Sequence, residues 1–327
     1  TGSLPLGKDI TRKFIRKSEE SLKNMLVPGI LFEELGFRYF GPIDGHNLNE
    51  MVRTLKNISN LKTPALLHIL TKKGKGMVSM NVKDRKYYDD AVKLHAVKPN
   101  GKKPSKVEKV DHQSFAPVFQ DVFGKLSCEV AKNRKDTVCI TAAMKEGTGL
   151  VNYSKEFPDR FFDVGIAEAH AVTFSAGLAT EKIRPIVAIY STFLQRAYDQ
   201  IIHDVAIQHL PVIFCMDRAG IAGEDGPTHH GALDIAYLKC IQGMIVSAPK
   251  DGNEFRHLLY TALEQNDRPF GIRYPKSSSL HFDENGQAEL LPIGSWETLK
   301  TGNDIAILAV GSMVYPCLLY TSPSPRD

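Results

Sequence analysis

A carboxylate directly follows one predicted strand, in the segment Asp163–His170. Here Glu168 lies at the start of a predicted helix, immediately after strand Phe161–Gly165. In a parallel sheet, ligands bind at the carboxyl ends of the strands, so this glutamate is well placed to contact one. The position also suits an acid that only complements the helix dipole. The segment alone leaves both interpretations open.

Aromatic, hydroxyl and cationic side chains follow the next predicted strand, Pro185–Tyr190. The run 190–200 contains Tyr190, Phe193 and Arg196. Aromatic rings stack on planar ligands, and guanidinium groups bind anions through a fork of donors. The sequence therefore predicts ring and anion binding at this strand end.

A long glycine-rich loop follows the predicted strand Val212–Asp217 and runs to Gly231. The side chains in this loop that could bind anions or transfer protons are Arg218, Asp225, His229 and His230. Loops of this length and composition are commonly functional. Adjacent histidines rarely point the same way, and no third ligand stands at a suitable spacing, so we predict no metal site in this chain.

Two further cations, Arg273 and Lys276, stand at the end of the predicted strand Phe270–Tyr274. Together with Arg218 they put positive charge at separate strand ends, on the same edge as Glu168. The pattern indicates a site for a phosphorylated substrate that is processed by acid–base chemistry.

The elements that must position these residues are strands that mostly alternate with single helices and are apolar on both faces. The predicted strands are 137–142, 161–165, 185–190, 212–217, 244–248 and 270–274, and the predicted helices are 167–179, 194–209 and 253–264. Such a pattern is typical of an α/β fold built on doubly wound parallel sheets. The small residues of helix 167–179 predict close helix–sheet packing.

An earlier α/β segment precedes a linker. It comprises predicted helices at 14–26, 31–36 and 48–61, a loop at 41–47, strand 65–70 and the basic, glycine-rich loop 71–76. Lys, Pro, Gly and Ser without periodicity mark 98–114 as the linker. We expect a second domain at 115–288, the start of a third at 289–316, and an anomalous tail at 317–327.

Composition narrows the class of protein. The 327 residues carry a formal charge of +4, with Lys and Arg spread along the chain, so nucleic-acid binding is not indicated. No run reaches the roughly 18 apolar residues of a membrane span. The dispersed cysteines are typical of reduced thiols in a cytoplasmic protein. The opening residues lack Met and a signal-like stretch, so we expect the chain to begin inside a longer protein.

The segments quoted above, in their order, resemble the 1-deoxy-D-xylulose-5-phosphate synthase family of thiamine-diphosphate-dependent, transketolase-like enzymes. The upstream motifs agree, among them Gly41–His46, Thr71–Gly76 and His95–Val97. The resemblance covers about residues 1–316. It implies that 1–97 is the C-terminal part of a diphosphate-binding domain and that 115–288 is a pyrimidine-binding domain. It further implies a transketolase C-terminal-like domain from 289.

The resemblance implies condensation of pyruvate with D-glyceraldehyde 3-phosphate and loss of carbon dioxide, at the head of the non-mevalonate isoprenoid route. Glu168 would bind the aminopyrimidine of thiamine diphosphate and promote its imino tautomer, which activates the thiazolium carbon. Phe193 would stack on the pyrimidine, and Lys73 would contact the cofactor. The remaining implied roles are substrate binding by Tyr190, Arg196, Arg218 and Arg273, and work near the reacting carbons by His95, Asp225 and His229.

The family's magnesium motif, a Gly-Asp-Gly with a later Asn, lies upstream of these residues, so we expect Mg²⁺ ligands outside the chain and an isolated chain that is inactive. Residues 77–94 depart from the family pattern. A homodimer is implied, in the cytoplasm, or in the plastid stroma for a plastid-bearing source. The alternatives are a transketolase, a 2-oxoacid dehydrogenase β subunit, or a non-catalytic α/β fragment.

Overall fold

The computed structural model describes residues 29–72 and 116–321. The chain divides into two compact units between Glu108 and Lys109, inside the segment whose composition predicts a linker. The predicted helix at 14–26, the loop beyond Lys72, the 77–94 segment and the linker itself lie outside the described residues, as do Lys73, His95 and residues 322–327.

The described part of the first unit is a small parallel α/β layer. Its elements are helix α1 (Ile30–Glu34), strand β1 (Arg38–Asp44), helix α2 (Leu48–Ser59) and strand β2 (Ala65–Leu70). The prediction that 41–47 is a loop is wrong in part, because β1 continues to Asp44 in parallel pairing with β2. The pairing register shifts between Phe40 and Ile43. The shift accommodates Pro42, which has no N–H to donate to the neighbouring strand.

The second unit is built on a six-stranded sheet in the order β4-β3-β5-β6-β8-β7, and every pairing in it is parallel. Its strands are β3 (Thr137–Thr141), β4 (Phe161–Asp163), β5 (Arg184–Tyr190), β6 (Ile213–Asp217), β7 (Ile245–Ser247) and β8 (Phe270–Arg273). The predicted strands therefore all form, and the α/β fold with parallel strands is confirmed.

Helices cover both faces of this sheet. The helices of this unit are α3 (Phe119–Asn133), α4 (Val151–Glu156), α5 (Glu168–Thr180), α6 (Ser191–Leu194), α7 (Tyr198–Gln200), α8 (Asp234–Lys239), α9 (Gly252–Leu263) and α10 (Val314–Tyr320). One core lies under α3 and α9 and is rich in aromatic rings, whereas the other lies under α5 and is mostly aliphatic. This gives three layers around two cores.

Alternation along the strands assigns each side chain to a core. On β6, for example, Ile213 and Cys215 face the aromatic core while Phe214 and Met216 face the aliphatic core. The small residues of α5 do pack on the sheet: Ala171, Ser175, Ala176 and Ala179 are buried. Cys128, Cys139 and Cys215 are buried free thiols, whereas Cys240 is exposed.

The predicted regular helix 194–209 is wrong in form. Helical structure begins earlier, at Ser191, and passes through a 3₁₀ turn at Gln195–Ala197 before ending in a π-helix at Ile201–Ala206. Ala197 leaves helical geometry at φ −112° and ψ 18°, which interrupts the ladder. Such irregular turns are common near functional sites.

The C-terminal region contains a helix after a long irregular stretch. Residues 289–310 form neither helix nor strand, and the helix α10 that follows runs through Cys317 to Tyr320. The first residues of the predicted anomalous tail are thus helical, because the apolar run Val314–Tyr320 continues across Cys317. Among the described residues, no helix has the length and apolar character needed to cross a bilayer.

Candidate active site

The strand order fixes where a site can form. The chain passes from β3 to β4 on one side and then returns to place β5 on the other side of β3. Parallel sheets bind ligands in the crevice at such a switch point, outside the carboxyl ends of the strands. The loop after β3, the end of β5 and the loop after β6 all reach this edge, and they carry most of the predicted site residues.

Glu168 is the first residue of α5, and its side chain is only 3% exposed. A buried carboxylate is costly unless it is paired, and Arg196 supplies the partner by donating from Nη1 to Oε1 at 2.7 Å. The Arg196 side chain itself is 56% exposed. The structure thus joins Arg196 to Glu168, whereas the resemblance implied a contact with substrate.

Phe193 lies on α6 at the centre of an aromatic cluster. Its ring centroid is 5.8 Å from that of Tyr190, in a stacked arrangement, and 5.3 Å from that of His229, edge to face. The guanidinium of Arg196 lies 5.0 Å from the Phe193 centroid, a favourable cation–π distance. Phe193 therefore connects the Glu168 pair to the glycine-rich loop.

Two glycines allow neighbouring loops to approach the end of β5 closely. A Cβ at Gly147, in the loop after β3, would lie 1.6 Å from Oη of Tyr190. A Cβ at Gly231 would lie 2.3 Å from Oγ of Ser191. Any side chain at either position would push the end of β5 away from its neighbours, so glycine is required there.

The glycine-rich loop after β6 is closed at its base, where Gly220 and Gly231 exchange backbone hydrogen bonds of 2.9 and 2.8 Å. Inside it, Nδ1 of His230 accepts from the Ala222 N–H at 3.0 Å, so this histidine supports the loop rather than facing a ligand. The neighbouring His229 instead lies against Phe193. The two histidines thus have different surroundings, as expected for adjacent residues.

Arg218 is the centre of the cationic group. It has φ +59°, and its guanidinium lies 3.8 Å from the Tyr190 ring centroid. Nη1 donates to the Gly147 carbonyl at 2.8 Å, and Nε donates to Asp225 Oδ2 at 3.0 Å. Lys276 Nζ reaches Asp225 Oδ1 at 2.6 Å. One carboxylate therefore bridges the two cations.

The titration of the groups around Arg218 follows from these contacts. Burial opposes ionisation of Asp225, but hydrogen bonds from Lys276 and Arg218 outweigh it and hold its pKa below the usual value. Burial raises the pKa of Tyr190 to about 12, despite the attraction of Arg218. At neutral pH, Asp225 is a carboxylate and Tyr190 is a phenol.

Asp217, at the end of β6, has the most unusual environment. It is fully buried, and neither carboxylate oxygen has a hydrogen-bond donor among the described residues, although Arg218 Nη1 lies 3.2 Å from Oδ1. Burial raises its pKa to about 7, against the attraction of Arg218. The sequence pattern predicted Asp217 only as the residue that ends a strand. The available signal was an acid at the end of an otherwise apolar strand.

Arg273 stands apart from the cluster that joins Glu168 to Lys276. It ends β8, beside Met216 of β6, and its Nε donates to Asp234 Oδ2 at 2.9 Å. No contact between Arg273 and the Tyr190–Arg218 pair is present among the described residues. The structure therefore brings Glu168, Phe193, Tyr190, Arg196, Arg218, Asp225 and His229 into one connected cluster, with Arg273 on a neighbouring strand end.

Three further histidines of the second unit do not join this cluster. His170 stacks on Phe174, and His203 contacts Asp204. His209 has φ +56° in the turn after the π-helix. Within residues 29–72 and 116–321, no group of three His, Cys, Asp or Glu side chains could hold a metal ion.

The cluster can be compared with the pyrimidine half of a thiamine cofactor. An aminopyrimidine needs a carboxylate to hydrogen-bond its ring and an aromatic side chain to stack on it. Glu168 is a buried carboxylate whose partner Arg196 is exposed, and Phe193, one helical turn before Arg196, is a half-buried ring. The described residues fit that half. They do not provide a metal-binding group of the kind a diphosphate requires.

Family comparison agrees with this geometry. Residues 116–280 match the transketolase pyrimidine-binding domain, and the chain belongs to that family. Residues 4–71 match the family described as 1-deoxy-D-xylulose-5-phosphate synthase. The fold class and the family resemblance seen in the sequence are thus confirmed.

The particular relatives are synthases of that name. The chain is 50% identical over 306 residues to 1-deoxy-D-xylulose-5-phosphate synthase of Aquifex aeolicus (strain VF5), covering 94% of the chain and 47% of the relative. It is 48% identical over 306 residues to that of Syntrophus aciditrophicus (strain SB), covering 94% and 46%. The chain spans about half the length of these relatives.

A solved structure also matches the chain. A split-gene transketolase, described as an inactive beta4 tetramer, aligns with a TM-score of 0.55 and 26% identity. The alignment covers 62% of this chain and 66% of that one.

Proposed function

We propose that the chain is part of a 1-deoxy-D-xylulose-5-phosphate synthase and contains its pyrimidine-binding domain. The reaction is the decarboxylative condensation of pyruvate with D-glyceraldehyde 3-phosphate. It transfers a two-carbon unit, makes 1-deoxy-D-xylulose 5-phosphate, and begins the non-mevalonate route that also feeds thiamine and pyridoxal synthesis. The observation that carries the proposal is the continuous cluster from the Glu168–Arg196 pair to the Arg218 cations, in a chain about half identical to such synthases.

Glu168 and Phe193 are the proposed cofactor contacts on this chain. When bound, thiamine diphosphate would supply a nucleophilic thiazolium carbon and a cationic ring able to delocalise the electron pair released on decarboxylation. Glu168 would exchange Arg196 for the aminopyrimidine and hold the proton that selects its imino form. Phe193 would stack on the ring. Lys73 is a further proposed contact, outside the described residues.

The phosphate of the acceptor would be bound by Tyr190, Arg218 and Arg273. Arg218 and Lys276 already bind a carboxylate, Asp225, in the position that an anion would take. Arg218 is fixed from behind by the Gly147 carbonyl and by the Tyr190 ring. A dianionic phosphate attracts these cations more strongly than a single carboxylate does, so it can compete with Asp225 for them.

Proton transfer near the reacting carbons is assigned to His229, with His95 and Asp225. His229 lies edge to face with Phe193, so its imidazole borders the place proposed for the pyrimidine. Thr228 Oγ1 lies 3.0 Å from its Nδ1, which leaves Nε2 for a substrate. His95 lies outside the described residues.

The assembled enzyme would need Mg²⁺, bound by residues outside this chain, and we propose a homodimer in the cytoplasm, or in the plastid stroma of a plastid-bearing source. The chain alone is proposed to be inactive. The similarity to a split-gene transketolase described as an inactive beta4 tetramer supports this point.

The test uses an active enzyme that contains these residues, made from a full gene or by joining this chain to the remaining segments of a relative. We expect 1-deoxy-D-xylulose 5-phosphate from pyruvate and D-glyceraldehyde 3-phosphate, and Glu168→Ala should abolish it. The matched control is Asp251→Asn, which alters another buried acid, at the start of α9. An unimpaired Glu168→Ala enzyme would contradict the cofactor assignment.

A further inference from the structure

Asp234 is a buried carboxylate that none of the roles above includes. It is the first residue of α8 and is 1% exposed. Its Oδ2 accepts from Arg273 Nε at 2.9 Å, and its Oδ1 accepts from the Ile235 N–H at 2.8 Å. Both oxygens therefore have donors, so the charge is compensated without solvent.

Arg273 is held by this contact in a defined direction. Ile272 and Tyr274 on either side of it belong to the aromatic core, so Arg273 projects to the opposite face, where Leu238 of α8 is buried. Its side chain is 18% exposed. Since the guanidinium is planar, a hydrogen bond at Nε sets the orientation of the whole group.

The two Nη groups of Arg273 donate to no other residue within 29–72 and 116–321. Arg218 differs, because its Nε and Nη1 are both engaged, by Asp225 and by the Gly147 carbonyl. Of the two arginines proposed to bind the phosphate, Arg273 is thus the one whose two Nη groups are both open. A fork of two parallel N–H donors matches two oxygens of a phosphate.

We propose that Asp234 is a positioning residue, which holds Arg273 by Nε so that its Nη fork faces the acceptor phosphate and thereby sets the preference for a phosphorylated acceptor. The proposal rests on the proposed function. An arginine fixed before the substrate arrives loses less side-chain entropy on binding, so the benefit appears as affinity. Because Asp234 uses Nε, it does not compete with the phosphate for the fork.

The experiment compares two acceptors, D-glyceraldehyde 3-phosphate and D-glyceraldehyde, in the active enzyme described above. In Asp234→Asn, which keeps the shape but loses the charge, we expect KM for the phosphorylated acceptor to rise on the order of tenfold with little change in kcat. KM for D-glyceraldehyde should not change. Asp251→Asn controls for the loss of a buried helix-start aspartate elsewhere in the fold.

Two further variants separate positioning from a structural role. The double variant Asp234→Asn/Arg273→Ala should be no worse than Arg273→Ala alone, because Asp234 acts through Arg273. Arg273→Lys keeps the cation but has neither Nε nor a fork, so it should lose the same phosphate preference even if Asp234→Asn fails to fold. Equal KM increases for both acceptors, additive losses, or a wild-type preference in Arg273→Lys would each overturn the proposal.

The outcome for the proposed function stays separate. If the wild-type enzyme makes no product from either acceptor, the proposed function fails, and the same variants are then compared for binding of inorganic phosphate by calorimetry. Weaker phosphate binding in Asp234→Asn than in Asp251→Asn would still support the positioning role. Equal binding in these two variants would remove it.

Discussion

Glu168 and Asp217 are both buried carboxylates at the carboxyl edge of one sheet, yet their surroundings differ. Glu168 receives a hydrogen bond from the exposed Arg196. Asp217 has Arg218 Nη1 at 3.2 Å from its Oδ1 but no well-aligned hydrogen bond among the described residues, and burial raises its pKa to about 7. The difference teaches that burial alone does not identify a ligand-binding acid. Glu168 differs in having an exposed partner, Arg196, and on that ground we propose it as the ligand-binding acid.

Removing the partner of Glu168 should affect the enzyme more than altering Asp217 does. Arg196→Gln removes the cation that orients Glu168 before the cofactor binds, and we expect the apparent affinity for thiamine diphosphate to fall about tenfold, because Glu168 is then no longer held in place for it. Stability should fall by about 1–3 kcal/mol, because Glu168 is then left buried without its partner. Steady-state kinetics and urea denaturation measure the two quantities. An Arg196→Gln enzyme that loses only affinity for the phosphorylated acceptor would instead favour a direct substrate contact.

Altering Asp217 should change how the free energy of unfolding depends on pH. Its folded pKa of about 7 lies above its unfolded value of about 3.9, so the folded state binds this proton more tightly. That stabilisation is complete below about pH 4 and is lost as the pH rises through 7. The free energy of unfolding of Asp217→Asn, compared with that of the wild type, should therefore be more favourable at pH 8 than at pH 5. Urea denaturation at both pH values measures this difference.

Asp136→Asn is the matched control for this pH dependence. Hydrogen bonds from Arg134 lower the pKa of Asp136 despite partial burial, so its stabilisation is present at pH 5 and above and is lost only at more acidic pH. The difference between Asp136→Asn and wild type should thus be the same at pH 5 and pH 8. A pH-independent Asp217→Asn difference would show that Asp217 is already ionised and paired.

Much of the fold could be predicted because buried parallel strands are nearly continuous apolar runs, as in Ile213–Asp217, and their ends place Glu168 and Arg218 on one edge. Helix α3 could have been predicted too, since Phe119, Val122, Phe123 and Leu126 have helical spacing. The irregular turns after Ser191 could not, because residue propensities do not report where a helical ladder shifts.

The pairings within the site were also beyond sequence reasoning. Arg196 and Glu168 are 28 residues apart, and Arg273 and Asp234 are 39 apart, so tertiary packing alone brings them together. Residue types indicated that anions and rings bind at this edge. They could not indicate which cation each acid would hold, such as Arg196 for Glu168.

The central claim is that Glu168 activates the cofactor, and the exchange of the thiamine C2 proton with deuterium tests it most directly. The rate is measured by NMR after quenched mixing of the cofactor-loaded enzyme with D₂O. We predict that Glu168→Gln slows this exchange by on the order of a hundredfold or more, while Asp251→Asn leaves it unchanged. An exchange rate in Glu168→Gln equal to that of the wild type would contradict the account.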